Sequence, residues 1–354
     1  MEGAGEDPYL GSKIAKARVL GFQGTDLSNH TTIAACAKHF AGYGFSESGR
    51  EYNTVDVGTS TLNNIIFPPF QATVDAGVRT FMNAFNVLNG IPATGNKYLQ
   101  RDVLKGKWAF DGFVVTDWGS IDEMTSHGLA KDGKEAAKIA ANAGSDMDME
   151  SHLYVKELAG LVREGKVKES FIDDAVKRIL KVKFELGLFE DPYKYCDEVR
   201  EKEVIGQQAF HEAALDLAKK SIVLLKNENQ LLPLKKQGQK IALIGALAAD
   251  KNSPLGNWRI AAKDHSAVSV LEGMQAYKEN KLTYAKGADV SVGYTAFTAQ
   301  VQINTTDKSE FPQAIEAAKS ADVVVMVLGE IGYQSGEGRS RTKLGLPGVQ
   351  QELL

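Results

Sequence analysis

Up to about residue 190 the chain alternates short apolar runs of β character with segments of helical period, and this alternation constrains its fold more than any other feature. Residues 33–40 read as a strand and 61–76 carry apolar side chains near helical spacing, after which 78–85 resume an extended apolar pattern. Beyond the turn Asn89-Gly90-Ile91-Pro92, a second helix-like stretch leads into Gly112-Phe113-Val114-Val115-Thr116-Asp117-Trp118. The spacing predicts a third helix over 134–143, stopped by Gly144, and a fourth short strand over 145–149. Parallel strands need crossovers of this length, so the pattern predicts a parallel sheet with helical connections. In each of the four units the polar residues collect just after the strand: Lys38-His39, Asn83 with Asn86, Asp117-Trp118, and Asp146 with Asp148. Barrel enzymes carry their chemistry at that end. A closed barrel needs eight units; four make a half barrel or an open sheet.

A helix predicted over 171–186 ends in Gly187-Leu188-Phe189-Glu190-Asp191-Pro192, which punctuates a domain end at about residue 190. Residues 191–204 are charge-rich and read as a linker, and an amphipathic helix begins at Ile205, with Ala209, Ala213, Leu217 and Ser221 in one line. In 205–354 the strand signals are 240–245, 282–285 and 321–329, the last preceded by a helix over 312–319. This is a second α/β region. It ends in a loop holding Glu330, Glu337, Arg339 and Arg341.

Composition excludes several classes. With 43% hydrophobic residues, 24% charged residues and a net charge of −4, the 354-residue chain is neither disordered nor strongly charged. It has no block of like charge to engage phosphate backbones and no apolar run of bilayer-spanning length, so neither nucleic acid nor a membrane is expected as a partner. Cys36 and Cys196 are too few for a disulfide framework or a zinc site, and Cys36, in the run Thr32-Ile33-Ala34-Ala35-Cys36-Ala37, is expected to be a buried small hydrophobe. Met1 to Pro8 contain no signal-peptide pattern.

Asp117 is the first candidate for chemistry: a carboxylate at a strand tip beside an indole suited to stacking on a sugar or other flat apolar face. On residue types alone, capping of the helix starting near Gly119-Ser120-Ile121-Asp122 is the commoner role for such an aspartate. Lys38 and His39 supply a cation and a second donor, or equally a solvated lysine and a buried structural histidine. Glu337, in Ser335-Gly336-Glu337-Gly338-Arg339-Ser340-Arg341, sits where glycines free the loop and arginines could orient a carboxylate. The loop matches neither nucleotide fingerprint. Asp146, Asp148 and Glu150 lack a fourth ligand, so no metal and no cofactor is expected.

Lys38-His39-Phe40, Glu51-Tyr52-Asn53, Asn89-Gly90-Ile91-Pro92, Val114-Val115-Thr116-Asp117-Trp118, Arg178-Ile179-Leu180 with Gly187-Leu188-Phe189, Val223-Leu224-Leu225-Lys226-Asn227 and Ser335-Gly336-Glu337 follow one another along the chain. In this order they resemble glycoside hydrolase family 3, specifically its bacterial periplasmic β-glucosidase branch. The resemblance implies the C-terminal half of a (β/α)8-type barrel over 1–190, then a linker at 191–204 and an incomplete α/β sandwich domain over 205–354 that carries the acid/base loop.

By the same resemblance the chain is a retaining β-glucosidase that releases terminal non-reducing β-D-glucosyl residues through a covalent glycosyl-aspartate. Asp117 matches the nucleophile and Glu337 the acid/base, with Glu330 as the alternative. Lys38, His39, Met82 and Trp118 match sugar-binding positions, β-linked glucosides or oligosaccharides are the implied partners, and the location is periplasmic or secreted. Phe85 stands where many relatives have a tyrosine, and Tyr43 and Ser46-Glu47-Ser48 replace the motifs of the N-acetylglucosaminidase branch. Gly5-Glu6-Asp7-Pro8-Tyr9-Leu10 resembles a mid-barrel motif. The expectation is therefore an internal piece of a longer enzyme, with little turnover of its own. A non-catalytic carbohydrate-binding or structural remnant and a β-xylosidase are the competing expectations.

Overall fold

The computed structural model describes residues 4–354; the first three positions of the Met1 to Pro8 stretch, read above as lacking a leader pattern, lie outside it. The chain is α/β and divides into two compact units, Met1–Gln207 and Gln208–Leu354.

In the first unit, strands β1 (Cys36–Phe40), β2 (Thr80–Asn83) and β3 (Phe113–Val115) form a parallel sheet in chain order. A parallel bridge from Val115 to Met147 continues the order at the fourth predicted position. Ala37 stands opposite Phe81, and Phe81 opposite Val114, so the inward residues align into one apolar layer. The register of β1 shifts between Ala37 and Phe40, and the Lys38–His39 and Phe40–Ala41 peptide bonds are cis.

The core of this unit is an aromatic cluster in which Phe40 lies 5.4 Å from Phe81 and Phe67 lies 5.3 Å edge-on to Trp108. Helix α1 (Pro8–Gln23) starts at the Asp7 cap, whose carboxylate accepts the Tyr9 N–H, and packs on α2 (Phe67–Asp75). Gln23, buried at its end, accepts the Ala35 and Arg79 N–H groups and donates to the Gly77 carbonyl, fixing the entries to β1 and β2. At Gly112 a Cβ would come within 2.1 Å of the Arg79 carbonyl oxygen, so only glycine lets β3 approach β2 here.

Past β3 come α3 (Ser120–Ser126), α4 (Gly133–Ala143), α5 (Leu153–Arg163) and α6 (Glu169–Glu185). Helix α4 buries an alanine face, Ala136, Ala137, Ala140 and Ala141, and ends at left-handed Gly144 as its sequence predicts.

The 191–204 stretch, read from its charge as a linker, packs within the first unit. It forms α7 (Glu198–Val204), capped by Asp197, while the Tyr195 hydroxyl donates to the carbonyls of Leu27 and Leu186. High charge density reads as a linker in sequence, but here the charges sit on the exposed face of a capped helix.

Cys36 also departs from expectation. It is exposed, not buried, because β1 turns that side chain toward a cavity of about 620 Å³ lined by α1, β1 and α2. Neighbouring atoms nevertheless displace enough water to push its thiol pKa up.

The second unit begins with α8 (Gln208–Ser221), whose side chains are exposed throughout. Its sheet has the order β6-β4-β5, all parallel, from β4 (Lys240–Ile244), β5 (Lys281–Ala285) and β6 (Val323–Met326). Central β4 is buried along Ile241-Ala242-Leu243-Ile244, and Ala314 and Ala317 of the helix Phe311–Lys319 close over it. Among the described residues no helix is long and apolar enough to cross a membrane.

Candidate active site

Three parallel strand tips converge on Asp117. His39, near the end of β1, places Nε2 3.2 Å from Asp117 Oδ2, both side chains being largely shielded, at 17% and 13% exposure. The Trp118 N–H donates to Asp117 Oδ1 at 2.7 Å. One carboxylate oxygen thus accepts a main-chain N–H while the other faces the imidazole nitrogen.

The capping reading of Asp117 is not what the structure adopts. The residue before α3 is Gly119, left-handed at φ 64°, and it caps the helix with no side-chain hydrogen bond. The sharp turn through Gly119 lifts the Asp117 carboxylate clear of the helix end.

Lys38 is exposed beside His39, and Trp118 presents its indole at 66% exposure. Met82 lies on β2 opposite Val115, between the strands that carry His39 and Asp117. Behind His39 stands an aromatic wall: Tyr43 meets the imidazole edge-on at 5.5 Å, and Phe85 lies 4.7 Å from Tyr52. His127, closing α3, donates to the Phe85 carbonyl, and its burial lowers its pKa.

Sequence reasoning passed over Glu123, on the first turn of α3. Burial, followed by the charge of Asp117, pushes its carboxyl pKa up to about 7. Its only sequence signal was an acidic residue six positions after Asp117, which reads equally as ordinary first-turn acidity.

The acidic residues past β3 have structural partners. Asp146 accepts from Lys105 Nζ at 2.6 Å and from the Val114 N–H at 2.8 Å, and Asp148 accepts from Ser151 and the Tyr154 N–H. Burial raises the Asp146 pKa and lowers that of Lys105, outweighing their mutual attraction. Among the described residues no cluster of three or more potential metal ligands occurs.

Glu337 belongs to the second unit, where the Trp258 indole N–H donates to its Oε2 at 3.1 Å. Gly336, at φ 107°, permits this: a Cβ there would lie 2.6 Å from that of buried Asn257. Arg339 donates to the carbonyls of Phe297 and Ala299, pinning the loop, and Arg341 is paired with Glu330. Trp258, a tryptophan 79 residues earlier, gave no sequence signal for this contact.

Residues 1–182 match the glycosyl hydrolase family 3 N-terminal domain, and 222–354 match the family 3 C-terminal domain. The chain belongs to glycosyl hydrolase family 3. Within family 3 it is 39% identical over 366 residues to a periplasmic β-glucosidase of Salmonella typhimurium, covering 100% of this chain and 48% of that protein. A β-xylosidase of Formosa agariphila is 35% identical over 371 residues, covering 100% of this chain and 49% of that one. The crystal structure of a β-glucosidase from Listeria innocua superposes with a TM-score of 0.89 at 38% identity, over 99% of this chain and 47% of that one. The chain thus spans about half the length of the curated relatives it matches.

Proposed function

We propose that this chain carries the catalytic machinery of a retaining β-glucosidase acting on terminal β-D-glucosyl residues, with Asp117 as nucleophile and Glu337 as acid/base. The observation that carries the reading is the His39–Asp117 contact: a strand-tip carboxylate with one oxygen facing an imidazole and the other held by the Trp118 N–H. An aspartate so held is aimed, as attack on an anomeric carbon requires.

In the first step an Asp117 oxygen forms a bond to C1 while the glycosidic C–O bond breaks, and Glu337 gives its proton to the departing oxygen. In the second, Glu337 removes a proton from water, whose oxygen attacks C1 and frees Asp117, restoring the β configuration. Lys38, His39 and Met82 are assigned to the glycosyl subsite and Trp118 to its leaving-group side. Phe85 has no hydroxyl to offer Asp117, whereas the His39 imidazole lies in contact with it. The periplasmic relative supports a periplasmic site of action.

The domain assignment follows the same reading: a half barrel over 1–190, a connection at 191–204 and an α/β sandwich region over 205–354. β-Xylosidases also stand among the relatives, so the sugar preference is part of the proposal.

The test is covalent trapping. The 354-residue chain is incubated with 2,4-dinitrophenyl 2-deoxy-2-fluoro-β-D-glucoside or the matching xyloside, then digested and mapped by mass spectrometry. Label on Asp117 from the glucoside, lost in Asp117→Asn, is the expected result. Faster labelling by the xyloside would reassign the sugar, and absence of label from either would support a non-catalytic remnant.

A further inference from the structure

Beneath Asp117 lies a closed set of buried polar side chains drawn from five separate elements. Asn83 ends β2, Thr94 lies in the turn Ala93–Gly95, Gln100 in the helical segment Tyr98–Lys107, Ser120 at the start of α3, and Ser145 just past α4. All five are at most 3% exposed. Buried polar side chains in a small-molecule enzyme core cost stability unless each is satisfied, so their directions can be assigned by counting protons.

The Asp117 main-chain N–H faces the Asn83 carboxamide at 3.3 Å, and since an N–H only donates, the atom facing it is Oδ1. The Asn83 amide group then points at Ser145 Oγ, 3.0 Å away. Thr94 Oγ1 lies 3.2 Å from Asn83 Oδ1 and 3.0 Å from Ser120 Oγ. Its single proton goes to the carboxamide oxygen, which cannot donate, and Ser120 donates to Thr94 in turn. Ser145 Oγ faces two acceptors, Gln100 Oε1 at 3.0 Å and the Thr94 carbonyl at 3.1 Å, which share its one proton, and Gln100 spends both amide protons on the carbonyls of Ala93 and Thr94, at 3.0 and 2.9 Å.

We infer that Asn83, oriented by Thr94, is a positioning residue for Asp117: the network locks the Asn83 carboxamide, and the carboxamide sets the backbone from which the nucleophile projects. Taking Asp117 as nucleophile, the inference rests on the function proposed above. Nothing in the network touches the Asp117 carboxylate, so its action is geometric. It fixes where the Cα sits, while His39 and the Trp118 N–H hold the two oxygens. Displacement of a reacting group by an ångström or less is enough to slow a displacement reaction severely.

The experiment uses 2-deoxy-2-fluoro-β-D-glucosyl fluoride on the full 354-residue chain, comparing wild type, Thr94→Val and Thr94→Ser. An Asp117 oxygen bonds to C1, the C–F bond breaks and fluoride leaves with the electron pair, so no acid is needed and the reaction reports on the nucleophile alone. Thr94→Val keeps the shape of the side chain but removes the proton that holds Asn83; Thr94→Ser restores it. The limiting labelling rate should fall about tenfold in Thr94→Val with the half-saturating concentration nearly unchanged, and recover in Thr94→Ser. Hydrogen exchange at the Asp117 amide of the ligand-free protein should accelerate in Thr94→Val and not in Thr94→Ser.

A wild-type limiting rate in Thr94→Val, or an unchanged Asp117 amide, would overturn the inference. If the wild-type chain takes no label, the nucleophile assignment fails by itself, and the amide comparison still decides whether Thr94 and Asn83 fix this backbone.

Discussion

His39 Nε2 lies 3.2 Å from Asp117 Oδ2, a contact that joins the tip of the first strand to the tip of the third across β2. A charge-assisted contact between largely shielded groups contributes more than an exposed ion pair. His39→Ala should therefore lower the second-order rate of fluoroglucoside labelling by roughly 10- to 100-fold, the effect of losing one such contact. Stopped labelling assays at several reagent concentrations measure it, and a change under twofold would remove His39 from the site.

Trp258 holds Glu337 in the second unit. Trp258→Phe keeps the ring and deletes the indole N–H, so it should impair proton donation more than nucleophilic attack. In any preparation that turns over, hydrolysis of an alkyl β-glucoside should drop several-fold more than that of a dinitrophenyl glucoside, whose leaving group needs little protonation. Equal losses on both substrates would assign Trp258 a structural role only.

Glu123 gives a pH dependence with a definite sign. Its folded pKa of about 7 lies above the ordinary 4.5, so between those values the native state holds a proton that the unfolded chain has released. This group's contribution to stability is accordingly lost as pH rises from 4.5 to 7 and is constant above. Glu123→Gln should be progressively more stable than wild type across that window, by on the order of 1 kcal/mol once solvent screening at a half-buried site is allowed for. Urea unfolding at pH 4, 6 and 8 checks it; a difference independent of pH would show that Glu123 titrates normally.

Lys105 and Asp146 form a buried pair behind the sheet, with Lys105 also donating to the Gly144 carbonyl. Lys105→Met leaves the carboxylate buried with only the Val114 N–H as partner, which should cost about 3–5 kcal/mol. The loss should shrink at low pH, where Asp146 takes up a proton, and the double variant Lys105→Met/Asp146→Asn should regain part of it. Denaturation midpoints of the three proteins decide the matter, and a single-variant loss below about 1 kcal/mol would contradict the pairing argument.

Much of the framework was legible in the residues alone. Short apolar runs marked β1, β2, β3 and β4, and Gly144 marked the end of α4, because these depend on neighbours within one strand or turn. The placement of Asp117 directly after Phe113-Val114-Val115 put a carboxylate at a strand tip, and parallel strands bring such tips to one edge. His39 and Asp117 could thus be nominated separately from sequence.

Only the tertiary structure decided what these residues do for one another. The strand register brought His39 to Asp117, and the chain reversal through Gly119 freed Asp117 from capping α3. The exposure of Cys36 followed from which way β1 faces its cavity, and the order in 191–204 from Tyr195 reaching carbonyls at Leu27 and Leu186. Asn83, Thr94, Gln100, Ser120 and Ser145 look like ordinary polar residues in the sequence; Asn83 and Ser145, bonded to each other, stand 62 positions apart. Periodicity reports which face of an element is apolar, whereas a hydrogen bond between distant segments exists only when packing brings its donor and acceptor within about 3 Å.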